Sequence, residues 1–247
     1  MILLRPQDTI HKVQLTRLLT EILDNPTLSQ NLYFKGGTCA AMLGYLDRFS
    51  VDLDFDLKQG ADKATLRSLF HKIFKRIDSS VKDESKKALE FILKYEAPAN
   101  QRNTIKLDAL DLHAKANIYK DFFLPEIVRY AKCQTIETMF ANKLVALTDR
   151  YDKRKSIAGR DVYDIHHFYT SGYRYNGGVI TERTNLSITD YFKKLAKFVE
   201  TKVTQTIINQ DLNTLLPYDK FKKVRKTLKN ETLAFLNNEI LSAKTNN

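Results

Sequence analysis

Residues 33–57 read YFKGGTCAAMLGYLDRFSVDLDFDL, and this stretch decides how the rest of the chain is read. A short apolar run turns at Gly36-Gly37 and leads, through a small apolar segment, into an alternation of aspartates with apolar residues. Residues two apart in a strand share a face. Asp52, Asp54 and Asp56 therefore project from one side, and Val51, Leu53, Phe55 and Leu57 from the other. Three like charges in a row cost stability, because each makes the others harder to ionise. A cation between them removes that cost. Oxygen ligands at adjacent positions on one face suit Mg²⁺, which takes one or two carboxylates plus substrate phosphates. The plainer alternative is an edge strand with a solvated acidic face; the diglycine turn upstream favours the metal.

The chain around this stretch has 247 residues, enough for a sizeable core in one large domain or two small ones. Lys plus Arg is 40 against 29 Asp plus Glu, giving +11 and a pI near 9.4. Such a balance points to a polyanionic partner, most simply nucleic acid. From Tyr191 to Asn247 there are 11 basic and 5 acidic residues, so +6 of the +11 lies in the last quarter. That stretch is a candidate phosphate-backbone surface, or equally a solvated Lys-rich helical face. Cys39 and Cys133 make no disulfide framework, which fits a reducing, cytoplasmic setting. The apolar start, Met1 to Leu4, is too short for a signal segment, and no apolar run reaches membrane-spanning length.

Upstream, Asp8 is placed to cap a helix with apolar positions Ile10, Val13, Leu18, Leu19, Ile22 and Leu23, ended by Asn25-Pro26. Downstream, Leu66, Leu69, Phe70, Ile73, Phe74 and Ile77 predict an amphipathic helix. Phe91–Tyr95 predicts a strand. Thr104–His113 predicts another, with Lys106, Asp108 and Leu110 on one face and Ile105, Leu107, Ala109 and Asp111 on the other. With Ile105 and Leu107 in the core, Asp108 can join Asp52 and Asp54 from a neighbouring strand. The opposite assignment turns Asp111 inward, and the pattern favours Asp108. From Thr135 on the pattern is helical, with Ile136, Met139, Phe140, Leu144 and Leu147 as a stripe and Lys143 off its centre. Asp161 and Asp164 lie one turn apart at a predicted helix start, where the helix dipole alone is reason enough for carboxylates. Residues 187–210 and 217–240 predict two more helices.

Lys35-Gly36-Gly37-Thr38 followed by Arg48-Phe49-Ser50-Val51-Asp52-Leu53-Asp54-Phe55 resembles the nucleotidyltransferase domain of the AbiEii/AbiGii toxin family, within the DNA-polymerase-β-like superfamily. Lys143, Arg150 and the segment Arg160-Asp161-Val162-Tyr163-Asp164 are similar to the family's later signature. The resemblance implies an α/β (α+β) fold: a minimal nucleotidyltransferase domain over residues 1–130, with a mixed sheet flanked by helices, and a helical C-terminal domain over 131–247. It implies transfer of a nucleotide from a nucleoside triphosphate (NTP) with Mg²⁺ and release of pyrophosphate. Gly36, Gly37 and Thr38 would hold the triphosphate, and Asp52 and Asp54 the metal, with use of two metals open. Lys143 and Asp161 would supply the later motifs, with Asp164 as the alternative to Asp161. The family's toxins belong to toxin–antitoxin or phage-defence systems, and some modify the 3′ acceptor end of tRNA; an antitoxin is thus an expected partner and RNA an expected acceptor.

The chemistry of the residues agrees with that assignment. An acidic strand repels a bare triphosphate, and a cation held by Asp52 and Asp54 reverses the local sign. Glycine N–H groups can approach phosphate closely, and Thr38 adds a hydroxyl. Asp108 could serve as general base on the acceptor hydroxyl, hold a second metal, or be a plain surface carboxylate. Arg48 could steady Asp52 or Asp54 or bind phosphate, with Ser50 bonding either; loop anchoring is the alternative for both. Two other functions fit the same residues: a catalytically silent nucleotide- or RNA-binding module, and transfer onto a small-molecule or protein hydroxyl.

Overall fold

Leu53, Phe55 and Leu57 are all buried, as their half of the alternation requires. They belong to the strand at the centre of a seven-stranded sheet. The computed structural model describes residues 5–111 and 114–245. Met1–Leu4, and Leu112 and His113 at the end of the strand-like run, lie outside the described residues. The chain divides into two units: the described residues of Met1–His113 with Ile118–Thr135, and Ala114–Asn117 with Ile136–Asn247.

In the first unit a 3₁₀ turn at Pro6–Asp8 precedes α1 (Thr9–Asp24), α2 (Pro26–Asn31), β1 (Leu32–Lys35), α3 (Gly36–Met42), β2 (Leu53–Leu57) and α4 (Lys63–Arg76). The strands β3 (Ser80–Glu84), β4 (Leu89–Lys94), β5 (Thr104–Leu110), β6 (Tyr119–Leu124) and β7 (Arg129–Gln134) follow. The sheet order is β3-β4-β5-β2-β1-β7-β6. The pairs β2–β5 and β1–β7 are parallel, and the others are antiparallel. The apolar face carries Leu32, Phe34, Leu53, Phe55, Leu89, Phe91, Leu93, Ile105, Leu107, Ala131 and Cys133, all buried. Helices α1, α2 and α4 pack beside these strands. The other face carries the charged alternates.

Local capping explains several boundaries. Asp62 caps α4 by accepting from the backbone N–H groups of Ala64 and Thr65. Asn25 ends α1 and caps α2 through the N–H of Leu28 at 3.1 Å. Asp8 sits at the N-cap of α1 in helical backbone geometry and makes no capping bond, contrary to the expectation. The buried stripe of α1 is His11, Leu15, Leu18, Leu19 and Ile22, and Val13 is 55% exposed. A buried histidine thus takes a place that an apolar count passes over. β3, which reads SVKDE, lies at one edge of the sheet and lacks the apolar alternation of a half-buried strand.

The second unit is helical: α5 (Ile136–Arg154), α6 (Gly159–Thr170), α7 (Gly177–Thr184), α8 (Ile188–Lys202), α9 (Gln205–Leu212) and α10 (Tyr218–Thr245). The predicted helix over 187–210 is two helices. Val203 leaves helical geometry, and Thr204 caps α9 through the N–H of Ile207. Gly159 opens α6 where an added Cβ would lie 2.7 Å from the Ile207 carbonyl, so α6 and α9 pack at backbone distance. The division between the units falls at Thr135/Ile136, after β7 has paired with β1 and β6.

Candidate active site

Gly36 adopts φ +78°, a left-handed conformation that favours glycine. A Cβ there would lie 3.0 Å from the Cβ of Asp54 and would run into its carboxylate. The glycine turn and the Asp52-x-Asp54 pair, separate in sequence, are therefore in contact. At Gly37 an added Cβ would lie 2.7 Å from Arg48 Nη2 and 3.0 Å from Ser50 Oγ. Side chains from the loop before β2 thus fill the space beneath the turn.

That loop, residues 48–52, has no regular secondary structure and is pinned by side chains. Arg48, 2% exposed, donates from Nη1 to the Phe49 carbonyl at 2.9 Å. Thr38 is fully buried; its hydroxyl donates to the Asp52 carbonyl and shares a 2.9 Å hydrogen bond with Ser50 Oγ. In this geometry Thr38, Arg48 and Ser50 position the loop. The sequence reading offered the Thr38 hydroxyl to phosphate and gave loop anchoring as one alternative for Arg48 and Ser50. His11, also fully buried, holds the Val51 carbonyl from Nε2 at 2.9 Å and bonds the Tyr95 hydroxyl through Nδ1 at 2.6 Å. Burial pulls the imidazole pKa down to about 4, against the hydrogen bond to Val51, so it is neutral at physiological pH. With the ring neutral, Nε2 carries the proton for the Val51 bond. Sequence reasoning missed His11. Its one signal is a polar residue in the apolar stripe of α1, and that pattern does not name a partner 40 residues away.

Across the polar face runs a row of charges set by strand register. Glu90 on β4 faces Asp108 on β5, Asp108 faces Asp54 on β2, and Asp54 faces Lys35 on β1. Asp108 is 8% exposed. Its Oδ2 pairs with Lys106, and its Oδ1 is buried without a hydrogen-bond partner among the described residues. Burial raises the Asp108 pKa above the ordinary carboxylate range; Lys106 opposes this, and the charges of Glu90 and Asp52 add to it. Asp111, the alternative, is exposed and pairs with Lys63. Asp56, third in the run, is 1% exposed and accepts from Lys35 Nζ at 2.5 Å, Tyr119 Oη at 2.8 Å and Gln134 Nε2 at 2.7 Å. It ties β1, β2, β6 and β7 together.

The donor set fits a magnesium ion. Asp54 and Asp108 offer hard oxygens on one sheet face, Asp52 ends the loop that leads into β2, and one buried carboxylate oxygen is orphaned. Among the described residues no three Asp, Glu, His or Cys side chains enclose a metal site by themselves. Mg²⁺ takes one or two carboxylates and completes its shell with water and substrate phosphates.

The later motif residues form a cluster within the second unit. Lys143 Nζ lies 2.9 Å from Asp161 Oδ1 and 2.9 Å from Asp164 Oδ2, and Arg150 Nη2 reaches Asp161 Oδ2 at 3.2 Å. Asp161 is 1% exposed and Asp164 fully buried. The helix-start explanation is therefore insufficient, because both aspartates sit in a buried ion cluster and share the same lysine. Burial alone would raise the Asp161 pKa, but Lys143 and Arg150 outweigh it and bring it down to about 2.

A family model described as "Nucleotidyl transferase AbiEii toxin, Type IV TA system" matches residues 17–239. Among solved structures, a Helicobacter pylori chain described as a candidate nucleotidyltransferase is 18% identical, with TM-score 0.58 over 99% of both chains. JHP933 from H. pylori is 16% identical, with TM-score 0.53 over 98% of this chain and 99% of that one. The nucleotidyltransferase toxin MenT4 from Mycobacterium tuberculosis is 14% identical, with TM-score 0.47 over 96% of this chain and 94% of that one. No curated protein matches. The two H. pylori likenesses show a shared fold.

Proposed function

The chain belongs to the AbiEii nucleotidyltransferase toxin family, and from this premise we propose that it transfers a nucleotide from an NTP to the 3′ hydroxyl of an RNA, the acceptor end of tRNA above all. The transfer takes place on the polar face of the sheet, at Asp52, Asp54 and Asp108. The observation that carries this is the unpartnered, buried Oδ1 of Asp108, on the strand neighbour of Asp54. An orphaned buried acceptor costs about 1–3 kcal/mol, so its retention calls for a use.

Asp52 and Asp54 would hold Mg²⁺, which when bound neutralises the triphosphate and its developing charge. The N–H groups at the start of α3, uncapped by any side chain from Lys35, offer donors to phosphate beside Asp54. The acceptor hydroxyl oxygen attacks the α-phosphorus, the bond to the β-phosphate oxygen breaks, and pyrophosphate leaves. Asp108 takes the hydroxyl proton on Oδ1; its raised pKa suits a base more than an ordinary aspartate would. Lys143, held by Asp161 and Asp164, is proposed as a phosphate-binding cation. The net charge of +11 and the cations Lys220, Lys222, Lys223, Arg225, Lys226 and Lys229 on α10 favour RNA over a small-molecule acceptor. An antitoxin is the expected protein partner.

Purified protein incubated with total RNA, Mg²⁺ and each α-labelled NTP tests this. Label in RNA is the expected result. Label in the protein itself, or in neither, would replace the reading with protein modification or with silent binding.

A further inference from the structure

The polar face continues past the carboxylates onto β1, β7 and β6, and there it turns aromatic. Tyr33 on β1 faces Asp56 on β2. Tyr33 and Tyr119 have ring centroids 4.7 Å apart, tilted by 47°. Lys132 on β7, whose strand partner is Asp121, places its ammonium 5.4 Å from the Tyr33 ring centroid. Further along the same face Phe123 and Tyr130 are strand partners, 5.3 Å apart and tilted by 50°. Tyr130 is 71% exposed and Phe123 45%, although their neighbours Leu124 and Ala131, on the opposite face, are buried. The fold gains little from leaving two large rings in water. A lysine sits between the two aromatic pairs.

Resting on the reading above, we infer that Tyr33, Tyr119, Lys132, Tyr130 and Phe123 form a stacking platform for the single-stranded 3′ end of the acceptor RNA. Rings interleaved with a cation are how proteins hold single strands, because every base has a face to stack and every linkage a negative charge. The platform starts one strand, roughly 5 Å, from the carboxylate strand β2 and shares its face, so an RNA end lying along it meets Asp54 and Asp108.

The chain contains no Trp, so Tyr130→Trp supplies a single fluorescent reporter that keeps a ring in place. Its emission should be quenched by a short single-stranded RNA with a free 3′ hydroxyl, also in the Asp54→Asn background, and not by NTP alone. The double variant Tyr130→Ala/Phe123→Ala should weaken RNA binding by tenfold or more and raise the KM for RNA while leaving the KM for NTP in place. Quenching together with weakened binding supports the platform even if label never enters RNA, in which case the reading of the reaction fails alone. Label entering RNA with neither quenching nor any change in affinity overturns the platform and leaves the reaction standing. The exposed rings would then belong to a protein partner.

Discussion

Asp108 is the direct strand partner of Asp54 in the parallel pairing of β2 with β5, so their carboxylates leave neighbouring strands on one face of the sheet. The pairing sets a buried acid beside other acids, and its consequences for pH have a definite sign. A carboxyl whose folded pKa is raised contributes stability that is full below its unfolded pKa and lost as pH rises through the folded value. Asp108→Asn should therefore raise Tm at pH 7, an advantage that vanishes in acid, while transfer falls by about 10²-fold or more. The acid limb of the wild-type rate profile should lie above the ordinary carboxylate range. Thermal melts and rates across pH 3–8 check both.

Gly36 and Gly44 share φ +78°, but an added Cβ meets Asp54 at Gly36 and nothing within 4 Å at Gly44. Alanine at either position should cost about 1–2 kcal/mol of backbone strain. Gly36→Ala alone should also lose most nucleotide transfer, because it displaces the Asp54 carboxylate. Equal losses of activity in the two variants would mean that the contact is incidental.

His11 holds the residue before Asp52 by its carbonyl. Replacing it with Ala removes that donor and should lower stability by roughly 1–3 kcal/mol and slow transfer, with Asn recovering part of both. The His11 pKa is lowered on folding, from 6.5 to about 4. Between those values the unfolded chain binds a proton that the folded chain does not, so stability falls as pH drops through that window. The His11→Asn variant should lack that slope in its denaturation midpoints.

Lys143 neutralises two buried aspartates. Lys143→Ala removes the cation that both share, leaving Arg150 on Asp161, and should cost about 3–5 kcal/mol, a Tm drop of roughly 10 °C, whatever its effect on transfer. Asp161, depressed to about 2, contributes stability that is present above the ordinary aspartate pKa and lost as pH falls toward 2. Activity lost in Lys143→Ala therefore counts as catalytic only if it persists at a temperature where circular dichroism shows the variant folded.

The residues that carry the sheet and its chemistry were legible where one pattern dominates. The alternation from Val51 to Leu57 gave a strand and its acidic face, and Ile105 with Leu107 put Asp108 on the side opposite the core. The β6–β7 hairpin was hidden because Phe122 and Phe123 are adjacent and Tyr130 points away from the core, which blurs a period of two. β3 was hidden because an edge strand of polar residues has no apolar period. The roles of Thr38, Arg48 and His11 were illegible for a different reason. Each acts on a backbone carbonyl, and a sequence carries no mark of which carbonyl a buried donor will find. Asp161 and Asp164 looked like a helix start until the fold brought Lys143 between them.

The central claim is that Asp52 and Asp54 carry nucleotide transfer. The most direct test is the rate of label transfer from α-labelled NTP by Asp52→Asn and Asp54→Asn, alongside thermal melts of both. The account predicts a fall of at least about 10³-fold in each, at a temperature where the melts show both variants folded. Wild-type rates in both folded variants would contradict it.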